Sequence, residues 1–223
     1  MVEKRTFLDF FNDPSPALNV KFSNVAEEES REVLVKNILG SPIDKKGKKY
    51  IESICKDVRL NDFFEFYTTH DGFEFCKPVY PDNYLKTPLF KLISSLNISN
   101  FNKQYIKGGK WAWSIDLNKS KTLYRGNDTW VAFAEIGQGP ACLTIFLTGE
   151  NAGCIYLVAP QPAFNILKPI AKTFNLFLDR VAKDPAAFLR LVRSYVVMQG
   201  TDGQNYGLIP VEYLSNSNEQ KIV

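Results

Sequence analysis

The chain has 223 residues, 45% of them hydrophobic and 23% charged, the balance of a soluble globular protein. Its formal net charge of +3 is too small to imply nucleic acid or an anionic membrane as a partner. No apolar run approaches the ~18 residues that a membrane span requires, and the charges among residues 1–13 break the pattern of a secretory signal.

The first 43 residues read as an extension that packs on a core. Phe7, Leu8, Phe10 and Phe11 form a short amphipathic piece before Pro14 and Pro16. The acidic triplet Glu27-Glu28-Glu29 suits the first turn of a helix, which Gly40 and Pro42 would stop. From Asp44 the apolar residues tighten: Ile51, Ile54, Cys55 and Val58 fall on one helical face.

Asn61 can cap a short helix that buries Phe63, Phe66 and Tyr67. His70-Asp71-Gly72 would end it, with the glycine free to take positive φ. Phe73 to Val79 alternates as a strand does. Thr87-Pro88 predicts the start of another helix, with Leu89, Leu92, Ile93 and Leu96 as its stripe.

Residues 97–128 turn polar and basic, and Trp111-Ala-Trp113 reads as an edge strand. Thr129–Glu135, Ala141–Leu147 and Cys154–Val158 are expected as central strands, the last two joined by a turn from Gly149 to Gly153. Their apolar residues point both ways, so both faces of the sheet are expected to be covered. Thr173 caps a helix with Phe174, Phe177, Leu178 and Val181 inward. Asp184-Pro185 opens another, with Phe188, Leu191, Val192 and Tyr195 on its buried face. Residues 206–213 suit a last strand.

Chemistry-bearing motifs are few. His70 is the one histidine, and no nucleophile with an orienting carboxylate is placed beside it by a motif. Gly137-Gln-Gly139 leads into another strand, not the helix a dinucleotide site requires. Asp116, Asp128, Glu135 and Glu150 show no spacing that marks a glycosidase pair. Cys55, Cys76, Cys142 and Cys154 lack a C-x-x-C pair and read as reduced core residues of a cytoplasmic protein. No cofactor or metal site is expected. Tyr105, Lys110, Trp111 and Trp113 combine charge with aromatic faces, and the two tryptophans would share one face of a strand. These four are the partner-binding candidates, set against a solvated loop feeding an inward-packed strand.

Four runs, in order, resemble the SUKH superfamily of fungal cell-wall glucan synthesis regulators and bacterial immunity proteins. They are Leu60 to Phe75, Val131 to Gly139, Cys142 to Val158 and Thr173 to Leu178. The chain has Asp71 where the family often has Asn, and Pro140-Ala141 where it often has an acid. The resemblance implies an α+β domain over residues 44–184, a central antiparallel sheet flanked by helices. Residues 1–43 and 185–223 would then be extensions. It also implies a non-enzymatic role: an immunity protein that binds and neutralises a cognate toxin, or alternatively an intracellular regulatory scaffold. A hydrolase using Asp/Glu in a sheet cleft is the third reading.

Overall fold

A computed structural model describes residues 18–24, 30–80, 88, 90–107, 129–136, 141–158, 169–183, 187–188, 191 and 208–213. Strands β1 (Leu18–Asn24), β2 (Ser30–Leu39), β3 (Phe73–Pro78), β4 (Phe90–Leu92), β5 (Trp130–Ile136), β6 (Cys142–Phe146), β7 (Ile155–Val158) and β8 (Leu208–Tyr213) form one sheet in the order β7-β6-β5-β4-β3-β2-β1-β8. Every neighbouring pair is antiparallel. Helices α1 (Lys45–Ile54), α2 (Asn61–Thr69), α3 (Ser95–Phe101) and α4 (Phe174–Lys183) complete an α+β fold.

Register decides which face the helices cover. Phe73 opposes Leu92, Phe75 opposes Phe90, and Leu92 and Phe90 oppose Ala134 and Ile136, so all six side chains share one face. Phe90 on that face meets Phe177 of α4 and Phe188, at ring-centroid distances of 6.0 and 5.6 Å. The β5–β6 register slips between Ala132 and Ala134, leaving Phe133 as the extra residue of a bulge. Phe133 lies in edge contact with Phe63 of α2 and with Phe174 and Phe177 of α4, at 5.6, 5.7 and 5.9 Å. Each such pair adds about 0.5–1.5 kcal/mol beyond the area it buries.

Helix α2 has the expected inner face: Phe63 and Tyr67 are fully buried and Phe66 nearly so. Its N-cap is Leu60, with Asn61 the first helical residue. The buried Tyr67 hydroxyl donates to the Ile93 carbonyl (2.8 Å). Helix α4 begins after Thr173, whose Oγ1 accepts from the Leu176 N–H at 3.2 Å. Strands β3, β5, β6, β7 and β8 fall within about a residue or two of the expected segments.

Three expectations are corrected. Residues 30–39 are strand, not helix: Val33, Val35 and Ile38 are β-branched, and the segment pairs with both β1 and β3. The stretch expected as one helix after Thr87-Pro88 instead gives strand β4 and then α3. Phe90–Leu92 fills the slot between β3 and β5, a non-local demand that outweighs its helical spacing. Val58 leaves the predicted stripe because α1 stops at Ile54; it sits 74% exposed on a 3₁₀ turn, Val58–Leu60. The segment expected as a helix from Asp184 lies mostly outside the described residues, as do the piece from Phe7 to Phe11 and the Trp111–Trp113 strand; Phe188 is buried as expected.

Short strand β4 leaves part of β5 without a ladder partner, and a side chain takes that place. Asn102 Oδ1 accepts from the Ala132 N–H at 2.9 Å, and its Nδ2 donates to the Ala132 and Ile98 carbonyls, both at 2.8 Å. One amide thus acts as the missing strand residue while closing α3. We predict that Asn102→Leu, which strands both backbone groups of the buried Ala132, lowers stability by about 2–4 kcal/mol in urea unfolding.

Candidate functional site: a lysine face on the first helix

Of the four partner-binding candidates, Lys110, Trp111 and Trp113 lie outside the described residues. Tyr105 lies on a π-helical turn, Asn102–Lys107, and its side chain is likewise outside them. Asp116, Asp128 and the Gly137–Gly139 turn also fall there; that turn joins β5 to the antiparallel β6, as its reading as a strand connection required. Glu135 opposes Cys142, whereas Glu150 lies past Phe146. At ~3.3 Å per residue the four steps from Cys142 to Phe146 alone separate them by roughly 13 Å, too far for a glycosidase pair.

The acids near the helices are engaged by the fold itself. Asp44 caps α1, its Oδ1 accepting from the Gly47 N–H at 2.6 Å. Asp62 Oδ2, from α2, accepts from the Asn175 N–H in the first turn of α4 at 2.8 Å. Asp71 Oδ1, from the turn after α2, accepts from the Ser95 N–H that opens α3 at 2.6 Å. That turn needs Gly72: its φ is +100°, and a side chain would meet the Leu92 carbonyl. Asp57 binds Arg59 through both carboxylate oxygens, at 2.9 Å to Nε and 2.6 Å to Nη2. Arg59 in turn donates to the Gly149 and Glu150 carbonyls, fastening the β6–β7 turn to the segment before α2.

These partners shape the titration of the site. The hydrogen bonds from Arg59 hold the Asp57 carboxyl down at about 2. Burial pushes the thiols of Cys55 and Cys142 up to about 12, and raises Cys154 as well, so none is a thiolate at neutral pH. All four cysteines are free thiols. His70 is half-buried at the end of α2, its ring 5.7 Å from that of Phe66. Among the described residues no three His, Cys, Asp or Glu side chains converge as a metal site.

One surface stands apart. Helix α1 begins Lys45-Lys46-Gly47-Lys48-Lys49, and all four lysines are exposed. At about 100° per residue they cover an arc of about 160°, opposite the buried Gly47 and Ile51. Within the helix no acidic residue stands in the first turn. Among the described residues the ion pairs are Arg59–Asp57 and Lys77–Glu74, so these four lysines stand unpaired. Positive charge here opposes the helix dipole by about 0.3–1 kcal/mol per lysine in the first turn, and lysines three and four apart repel one another. The chain has 27 Lys and Arg against 24 Asp and Glu, so without these four it would be acidic by one charge.

Helix α3 packs on the opposite, buried side of α1. Ser95 is fully buried, and its Oγ packs so closely on Gly47 that a Cβ there would overlap it. The next residue, Leu96, is 49% exposed. Sequence reasoning passed over the lysine face because net charge averages over the chain; the run KKGKK, once placed on a helix, is the signal that finds it. No protein-family model and no curated protein matches the chain.

Replacing Asp71 by Ala should cost about 0.5–2 kcal/mol in thermal or urea unfolding, while Asp71→Asn, which keeps an acceptor for the Ser95 N–H, should cost much less. Asp57 has a folded pKa below its unfolded one, so its contribution is present above the ordinary carboxyl range and fades as pH falls towards about 2. Carbon-detected NMR titration should show the Asp57 carboxyl rising towards that range in Arg59→Gln, which removes the guanidinium bonds and leaves the residue-59 N–H donating to Oδ1.

Proposed function

We propose that this chain is a non-enzymatic cytoplasmic binding protein, an immunity protein that neutralises a cognate toxin by occupying its surface. The observation that carries this reading is the use of the acids. Asp44, Asp62 and Asp71 cap helices and Asp57 holds Arg59, while the unspent charge lies outward on α1. The resemblance of residues 60–75 to the SUKH superfamily adds support, since that run supplies a helix, a turn and a strand as one unit. No helix among the described residues is long and apolar enough to cross a membrane.

Occlusion asks little of the fold beyond a rigid platform. The aromatic contacts between α2, α4 and β5 supply rigidity, and an exposed helix supplies contact and charge. The regulatory-scaffold reading uses the same platform with a different partner.

Co-expression with the product of a neighbouring toxin-like gene tests this. The expected result is protection from growth arrest and a stable complex on size-exclusion chromatography. A complex without protection would favour the scaffold reading. No protection and no complex would sink the immunity reading.

A further inference from the structure

We infer that the exposed face of α1 is a docking surface for an acidic protein face. This names the surface and partner chemistry of the binding reading above, and it rests on that reading only in taking the partner to be a protein. Lys48, Lys45, Lys49 and Lys46 lie side by side around the outer arc of α1, each exposed and unpaired among the described residues. A solvated face built for stability would carry acids in this first turn and alternate its charges. Here the first turn is basic and its internal neighbours repel, so the charge is complementary to something outside the helix.

Two features favour an acidic protein over a phosphate polymer. The chain apart from these lysines has no positive excess, so no long-range field gathers a polyanion. Asp44 occupies the end of α1 where a phosphate would bind.

The test measures binding of the full chain to three probes at matched charge concentration: poly-L-glutamate, duplex DNA, and vesicles containing phosphatidylserine. The expected result is tightest binding to poly-L-glutamate, weakening as salt rises. The combined variant Lys45→Gln, Lys46→Gln, Lys48→Gln, Lys49→Gln should bind it at least tenfold more weakly. Gln and Lys are near equals as helix formers, so its melting temperature should match or exceed that of the parent. A control neutralises four exposed lysines elsewhere, Lys36, Lys103, Lys172 and Lys183, and should bind within about twofold of the parent.

Tighter binding to DNA, or to the vesicles, would overturn the inference in favour of that partner. No binding to poly-L-glutamate, or equal losses in the two variants, would also overturn it. If the toxin complex forms unchanged with the α1 variant, the immunity reading stands and this surface is wrong. If the probe results hold and no toxin partner exists, the surface stands and the immunity reading falls.

Discussion

Phe133 projects from a bulge in β5 into a nest of rings, and the layering of the molecule depends on that contact. A regular ladder would have given this position to one face or the other by strict alternation. The slipped register frees it to meet Phe63 from α2 and both Phe174 and Phe177 from α4. Phe90 extends the nest along the sheet to Phe177 and Phe188. Two helices far apart in sequence are therefore held on the same strand pair by one cluster, mostly in edge-to-face geometry. Truncating a ring at its centre would loosen both helices at once.

Around this cluster the polar groups solve a second problem. Each helix begins with N–H groups that have no partner inside the helix. Helix α1 supplies its own acceptor from Asp44, α3 borrows one from Asp71, and α4 adds a borrowed one from Asp62 to its own Thr173. Those two aspartates flank α2, so α2 organises the starts of two other helices as well as the aromatic core. The lysine face of α1 is the exception to this economy. It sets charge against the dipole and against itself, a local conflict of the kind that binding surfaces retain.

Some elements were readable because local and long-range demands agree. Phe63, Phe66 and Tyr67 have helical spacing, end at a glycine that must take positive φ, and do face the core. Thr173 before Phe174 marks a helix start, and the apolar runs of β5, β6 and β7 announce buried strands. Other segments carried conflicting cues. Leu89, Leu92, Ile93 and Leu96 have the spacing of a helix, yet Leu92 is drawn into the sheet and Leu96 is left half-exposed. Residues 30–39 follow an acidic triplet that suits a helix start, yet they pair on both sides as a strand. The candidate site was hidden in a different way. A net charge of +3 says nothing of where charge sits, and only helical geometry gathers four lysines on one side.

The sequence by itself determined the inner face of α2, the start of α4 and most of the strands. Those features rest on periodicity, caps and turn residues, which act over a few positions. Only the tertiary structure decided the order of the strands, the strand at Phe90–Leu92, the substitution of Asn102 for a missing strand residue, and the loan of Asp71 and Asp62 to other helices. Each of these joins residues distant in the chain. Their free energy comes from pairing and packing that no local window contains.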